Sequence, residues 1–433
     1  MANSRRTFLT ALAAAFGAGP SLAHWLIRPS SAAASGATSS YPPPGRDSEP
    51  YWQAIRQQFL IPADEAFFNT GTLGSPPRPV MDAVASHMTH VARDIAHWDY
   101  HPDHEQYFTG YAPELGVREK LASLISADVD EVALTQNATV GMNMLANGLE
   151  MEPGDEVVVL RNAHPGGRCG WELREKRHGV RVVFVTLPSE VSEPAQLLAL
   201  YEQATTPRTR AWAIPHLTSG QGAVLFPVDE MCRRARELGI LSLVDGAQTL
   251  GHLHIDVRAM DCDAFYSSPH KWLLAPVGCG LLYIRRDAQP RFWTTLASTN
   301  WDNHDDGAYR FMQYGTGNLS LLVGLERAID FHQAIGSETV EARNITLTRR
   351  LREGLAGIPG VTIHSPSHPD MVTGTTIWSL AGVSGGELQD ALWSAAKVRV
   401  RSSDGGVRQC CHICTTMADV ERSVQATRAL AAG

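Results

Sequence analysis

The run Asp263-Ala264-Phe265-Tyr266-Ser267-Ser268-Pro269-His270-Lys271 closes on a hydroxyl, an imidazole and a primary amine in quick succession. Upstream, the apolar stretch 240–244 ends in Asp245, with Gln248 three residues further on. Both stretches read as buried parallel strands that deliver polar side chains at their C-terminal ends, where open α/β sheets bind ligands. An amine, a carboxylate, an amide, a hydroxyl and an imidazole converging there suit a phosphorylated pyridine aldehyde held as a Schiff base. Lys271 would form the imine. Asp245 would pair with the protonated ring nitrogen and keep the ring an electron sink for a substrate carbanion. Most lysines are solvated surface groups, but Lys271 is flanked by apolar runs and preceded by the aspartate strand.

A phosphate site is expected at Asn137-Ala138-Thr139, where a strand turns into a helix. Backbone N–H groups and the Thr139 hydroxyl can face an anion there, with the same geometry that serves N-capping. With these motifs in order, the chain resembles the class V aminotransferases, a branch of the fold-type I enzymes that use pyridoxal 5'-phosphate, and within it the isopenicillin N epimerase-like group. The similarity runs over residues 69–430.

The resemblance implies a role for each matching position. His164, in Asn162-Ala163-His164-Pro165-Gly166, matches the histidine that stacks on the cofactor ring, and Trp171 stands at the family's tryptophan spacing after it. Ala138, Thr139, Ser268 and His270 match positions around the phosphate, and Gln248 can donate to the phenolic oxygen. Thr218-Ser219-Gly220-Gln221-Gly222 matches the loop flanking the ring, departing from the family where Gly220 replaces a frequent Asn. Thr316, in Gly315-Thr316-Gly317-Asn318, matches a loop that crosses a two-fold axis to the partner's phosphate, which implies a homodimer with a shared active site. Arg408 lines up with the arginine that takes the substrate α-carboxylate, a task suited to its planar fork. Arg401 resembles a second family arginine able to hold a distal acid group.

The reaction itself is less constrained. All members of this type begin by exchanging the lysine imine for a substrate imine, after which Lys271 is the natural proton shuttle. Return of the proton to Cα epimerises, transfer to the cofactor transaminates, and loss of a β-group makes a lyase. Cysteine desulfurases place a nucleophilic cysteine on the loop matched by 402–406, and none stands there. The nearby Cys410, Cys411 and Cys414 lack a second ligand pair at zinc spacing, so buried thiols and no metal are expected. We therefore expect an enzyme acting at the α-carbon of an amino acid or aminoacyl metabolite, as a transaminase or epimerase, with β-elimination as the alternative. A non-catalytic binding protein on the same fold is disfavoured because Lys271, Asp245 and the phosphate loop are all present.

The elements that must position these residues follow from hydrophobic periodicity. From residue 131 strand and helix patterns alternate as βαβ units, with strands expected at 132–135, 156–160, 180–185, 210–214, 241–244, 264–267 and 280–284. Helical spacing recurs at 79–96, 139–148, 195–204 and 228–238. The expected fold is α/β, a mostly parallel seven-stranded sheet with helices on both faces plus a smaller α+β C-terminal domain. Long helices at 319–335 and 338–355 precede that domain's strands at 361–364, 375–380 and 398–401 and helices at 386–395 and 418–431. The expected divisions are 1–34, a twin-arginine signal segment; 35–50, a linker; 51–69, an N-terminal segment; 70–300, the large domain; and 301–433, the small one. The signal reading rests on Ser4-Arg5-Arg6-Thr7-Phe8-Leu9, an Ala-rich apolar stretch and Ser21-Leu22-Ala23, and implies a periplasmic or secreted protein. Residues 97–110, rich in His, Tyr and Asp, are expected to form a loop lining the substrate entrance.

Composition agrees with this and excludes some partners. At 433 residues with 44% hydrophobic and 19% charged, the chain can bury a large core. A net charge of −8 without a basic cluster argues against nucleic acid. No apolar run reaches the roughly 20 residues of a membrane span. The expected partner is a small amino-acid-type molecule.

Overall fold

A computed structural model of the chain describes residues 48–97, 111–403 and 405–433. The twin-arginine segment, nearly all of the linker and most of the expected entrance loop lie outside the described residues.

The large sheet is laid down by short apolar runs, beginning with β2 after a first strand taken up below. These are β2 (Val132–Thr135), β3 (Glu156–Leu160), β4 (Arg181–Val185), β5 (Thr209–Pro215), β6 (Leu241–Asp245), β7 (Ala264–Ser267) and β8 (Gly280–Ile284). They form a seven-stranded sheet in the order β2-β8-β7-β6-β5-β3-β4. Every neighbour pair is parallel except those made by β8, which runs antiparallel to β2 and β7. Two reversals leave β2 pointing the same way as the rest, so all strands but β8 end at one edge. The strand residues 157–160 are buried without interruption because helices cover both faces. Each Val or Leu so placed contributes about 1.5–3 kcal/mol of transfer free energy.

The helices along this part are α1 (Glu49–Arg56), α2 (Arg78–Arg93), α3 (Tyr111–Leu124), α4 (Ala138–Gly148), α5 (Pro165–His178), α6 (Ala195–Gln203), α7 (Val228–Glu237) and the single turn α8 (Val257–Met260). Helix α5 was not expected. Its first turn, Pro165-Gly166-Gly167, reads as a loop, yet the glycines are required by close packing. A methyl on Gly166 would lie 2.4 Å from Thr139 Oγ1, and one on Gly167 2.5 Å from Asp245 Oδ2. Pro165 suits the first helical turn, and Gly179 ends the helix at φ 70°.

Beyond the large sheet come α9 (Leu319–Ile335) and α10 (Ser337–Ala356), then a four-stranded antiparallel sheet. Its strands β9 (Val361–Ile363), β10 (Thr375–Leu380), β12 (Arg401–Ser403) and β13 (Gly406–Cys410) are ordered β12-β13-β10-β9. Helices α11 (Gly385–Ala396) and α12 (Met417–Ala431) cover it, each opened by a capping box, Ser384 with Glu387 and Thr416 with Asp419. The single strand expected at 398–401 is two. β11 (Val398–Arg399) pairs in parallel with β1 (Ala66–Phe67), and past the buried Val400 the chain enters the second sheet as β12. Core residues divide accordingly. One cluster surrounds the large sheet and reaches Ile329 in α9, while a second gathers Ala66, Phe68, Trp378 and Val407 around the small sheet.

Candidate active site

At the edge where the strands end, register brings the polar residues together. Pro215 on β5 is opposite Asp245 on β6, which is opposite Tyr266 on β7. A cavity there is lined by Ala138, Thr139, His164, Asp245, Gln248, Ser268 and Lys271, with Thr218 and Ser219 on the β5 side. Five of the loops following strands of the large sheet, those after β2, β3, β5, β6 and β7, thus contribute one or more expected site residues or their neighbours, as the switch-point rule anticipates.

The phosphate end is a helix N-terminus. Asn137 caps α4 by accepting the Val140 N–H at 3.0 Å, and the Ala138 N–H donates to Ser268 Oγ at 2.9 Å. Thr139, exposed at the cavity, adds its own N–H and hydroxyl, so an anion meets aligned donors and the positive end of the helix.

Asp245 Oδ1 accepts the Ala247 N–H at 2.9 Å. Burial pushes its carboxyl above the ordinary range, against the Ala247 N–H and the charge of Lys271. A buried carboxylate with so little compensation favours a further cationic donor beside it. The missing side chain of Gly167 keeps the space at Oδ2 open. Lys271 is pushed below the ordinary lysine range by burial, held up by Asp245 and lowered further by Arg408. An amine so placed is neutral at lower pH than a solvated one and is a better nucleophile.

His164 caps α5, and the Gly166 N–H donates to its Nδ1 at 3.1 Å. Partial burial, Lys271 and Arg408 all lower its pKa, so the ring is neutral with its proton on Nε2. Gln248 is less free than expected. Its Nε2 donates to Gly71 O at 2.9 Å and its Oε1 accepts from Trp272 Nε1 at 2.9 Å, leaving one N–H for a ligand. His270 is half-buried beside the cavity rather than lining it, with Nδ1 lacking a partner. Burial and then Lys271 push its pKa down to about 4.

Arg408 reaches the site from β13. It is 7% exposed; Nη1 donates to Ser219 O at 3.1 Å and Nη2 to Thr72 Oγ1 at 2.5 Å, with Asn69 Oδ1 at 3.5 Å. Nε has no partner, and the guanidinium makes no ion pair among the described residues. Arg401 is opposite Arg408 on the neighbouring strand but lies exposed at the sheet edge, and it does not line the cavity. Thr316 is also outside it, exposed in a separate groove with Met88, Val91 and Asn318. Trp171, on α5, is buried and does not line the cavity.

Sequence reasoning assigned no role to Thr72, Asn69, Cys410 or Trp272. The first two hold Arg408, and a methyl on Gly71 between them would meet Gln248 Oε1 at 3.0 Å, Cys410 Sγ at 3.1 Å and Arg408 Cζ at 3.4 Å. The glycine-punctuated run Asn69-Thr70-Gly71-Thr72-Leu73-Gly74, whose counterpart in the family lies near the substrate mouth, was the available signal; the thiol and the indole carried none beyond hydrophobicity.

A parallel-sheet fold with a lysine, an aspartate and a helix N-terminus at its switch point defines a class of cofactor-dependent enzymes. Residues 67–431 match the family model for aminotransferase class-V, and the chain belongs to that family, which makes it a pyridoxal-phosphate enzyme. It is similar to isopenicillin N epimerase of Streptomyces clavuligerus, 29% identical over 88% of this chain and 98% of that one. A probable cysteine desulfurase of Methanothermobacter thermautotrophicus is 31% identical over 80% of this chain and 86% of its own. Among solved structures, an apo cysteine desulfurase from Thermococcus onnurineus superposes with a TM-score of 0.77 at 22% identity, covering 88% of this chain and 98% of that one. A cystine C-S lyase in complex with cysteine persulfide does so with 0.74 at 23%, covering 85% and 98%.

Proposed function

We propose that the protein acts at the α-carbon of an amino acid or an aminoacyl metabolite, as a class V transaminase or epimerase. The observation that carries this is the placing of Asp245, Lys271 and the α4 N-terminus around one cavity, with Arg408 at its rim. When bound, pyridoxal phosphate supplies an electron sink through which a bond at the substrate's α-carbon can break. Asp245, oriented by the Ala247 N–H, would set its carboxylate against the ring nitrogen. Thr139, Ala138 and Ser268 would hold its phosphate, and His164 would pack against its ring without adding charge. Lys271 Nζ would hold the group covalently and, as a free amine, would hold or deliver the proton at Cα. Arg408, a buried cation without a counter-ion among the described residues, would take the substrate carboxylate and turn Cα toward Lys271.

β-Elimination at a C–S bond is the second reading, supported by the similarity to the probable cysteine desulfurase. Persulfide transfer fits less well. Of the seven cysteines only Cys169 is exposed, and it does not line the cavity.

Two further readings belong to the proposal. The exposed Thr316 loop, beside Met88 (52% exposed), supports a homodimer in which each protomer completes the other's phosphate site. The Ser4–Leu9 pattern supports export by the twin-arginine route.

Incubation with a panel of amino acids in deuterated water, with mass analysis of the products, tests the reaction. Deuterium at Cα with inversion identifies an epimerase, a keto acid a transaminase, and an eliminated fragment a lyase. No exchange with any amino acid or amine would defeat the proposal.

A further inference from the structure

Gln248 and Lys271 follow different strands, β6 and β7, and one side chain joins them. Trp272, the residue after Lys271, is fully buried. Its indole N–H donates to Gln248 Oε1 at 2.9 Å. Its ring lies flat on His252, with centroids 3.6 Å apart and planes 8° from parallel. His412 meets the same ring edge-on, with centroids 5.2 Å apart and planes at 70°, and its Nε2–H donates to the Trp272 carbonyl at 2.8 Å.

Hydrogen-bond chemistry fixes the polarity of this bracket. An indole only donates, so it must face the oxygen of the Gln248 amide, and the amide nitrogen must then face Gly71 O. The Gly374 N–H donates to His252 Nε2 at 2.7 Å, so the proton of that ring is on Nδ1, which donates to Gln248 O at 2.8 Å. Burial pushes His252 and His412 down to about 3, so both rings are neutral.

The bracket also spans the two sheets. Trp272, His252 and Gln248 come from loops of the large sheet, whereas Gly374 precedes β10 and His412 follows β13. Gly374 is held tightly, since a methyl there would lie 2.6 Å from His252 Nε2 and 2.8 Å from Cys411 O.

We propose that Trp272 is a positioning residue for the cavity: its indole N–H sets the Gln248 amide, and its clamped ring fixes the turn that carries Lys271. This rests on the pyridoxal-phosphate reading, because Gln248 and Lys271 are the groups that meet the cofactor. Packing alone would not need the N–H; orientation of a cavity-lining amide does.

Trp272→Phe in the full chain deletes the N–H and keeps a ring against His252. The readouts are the dissociation constant of pyridoxal phosphate, titrated into stripped protein by visible absorption, and the melting temperature. We expect roughly tenfold weaker binding, the effect of one broken buried hydrogen bond. Gln248→Leu combined with Trp272→Phe should bind no more weakly than Gln248→Leu alone, because both act through one contact. His252→Gln, which can keep both hydrogen bonds and loses the stack, should weaken binding roughly threefold and carries the test if Trp272→Phe does not fold. Unchanged affinity in the recovered variant, or additive losses in the double variant, overturns the inference. Failure of the unsubstituted protein to bind pyridoxal phosphate overturns the cofactor reading and the inference with it; normal binding there with no change in the variants overturns the inference alone.

Discussion

Replacing Arg408 by methionine tests the substrate side of the site. The guanidinium is buried, its three hydrogen bonds go to neutral oxygens, and no carboxylate pairs with it among the described residues. A substrate carboxylate would supply the missing charge. Removing one partner of a buried, hydrogen-bonded charge pair costs about 2–5 kcal/mol. That is roughly a 30- to 4000-fold loss in kcat/KM. The assay compares an amino acid with the amine that lacks its carboxylate, and the amine should change by no more than about threefold, since it never used the pair. A second arm reads electrostatics in the stripped protein. Arg408 lowers the pKa of both Lys271 and His164, so its removal should raise both. The pH at which Lys271 begins to react with an amine-directed reagent should move upward in Arg408→Met and stay in place in Arg408→Lys. Equal losses for both substrates, or no movement of the labelling profile, would refute the assignment.

Lys271→Ala should abolish both turnover and the imine absorption band of bound cofactor while the protein stays folded; retained activity would remove Lys271 from its role. Four fully buried imidazoles, His216, His252, His332 and His412, are pushed by burial down to about 4, 3, 4 and 3 from 6.5. The folded state therefore binds fewer protons than the unfolded one below 6.5. Stability should be full above that pH and fall as pH drops toward 4, by about 1.4 kcal/mol per pH unit for each imidazole. Denaturant titrations at pH 7 and pH 5 measure this, and His332→Gln should flatten the slope by one such increment. Glu114 has the opposite sign. Burial raises it to about 7 against Arg118 and Tyr309, so its contribution is lost as pH rises from 4.5 through 7. Glu114→Gln should be more favourable at pH 8 than at pH 4 by about 3 kcal/mol, and equal effects at both would contradict it.

The large sheet was legible because interior parallel strands leave short, unbroken apolar runs, and four of its seven strands begin and end where those runs do. Helix α5 was not, because its opening glycines are demanded by Thr139 and Asp245 rather than by helix propensity. The break at Val400 was hidden for a similar reason: a buried valine reads the same whether the strand continues or changes sheets. Around the cavity, polar residues that follow strands could be found by type and spacing. Gln248 shows the limit. Its placement followed from Asp245, but its commitments to Gly71 and Trp272 depend on loops distant in sequence. Arg401 and Thr316 show another, since an alignment position does not say which way a surface residue faces or whose site it serves.

The pairing of Ala66 with Val398 and of Phe67 with Arg399 joins the two ends of the described chain. The loop that follows β1 carries Asn69 and Thr72, which hold Arg408, itself near the C-terminus. During synthesis on the ribosome, the large sheet has all its strands long before β11 and Arg408 emerge. The carboxylate pocket therefore matures last, and a chain stalled before residue 398 would hold a lysine pocket without its arginine gate.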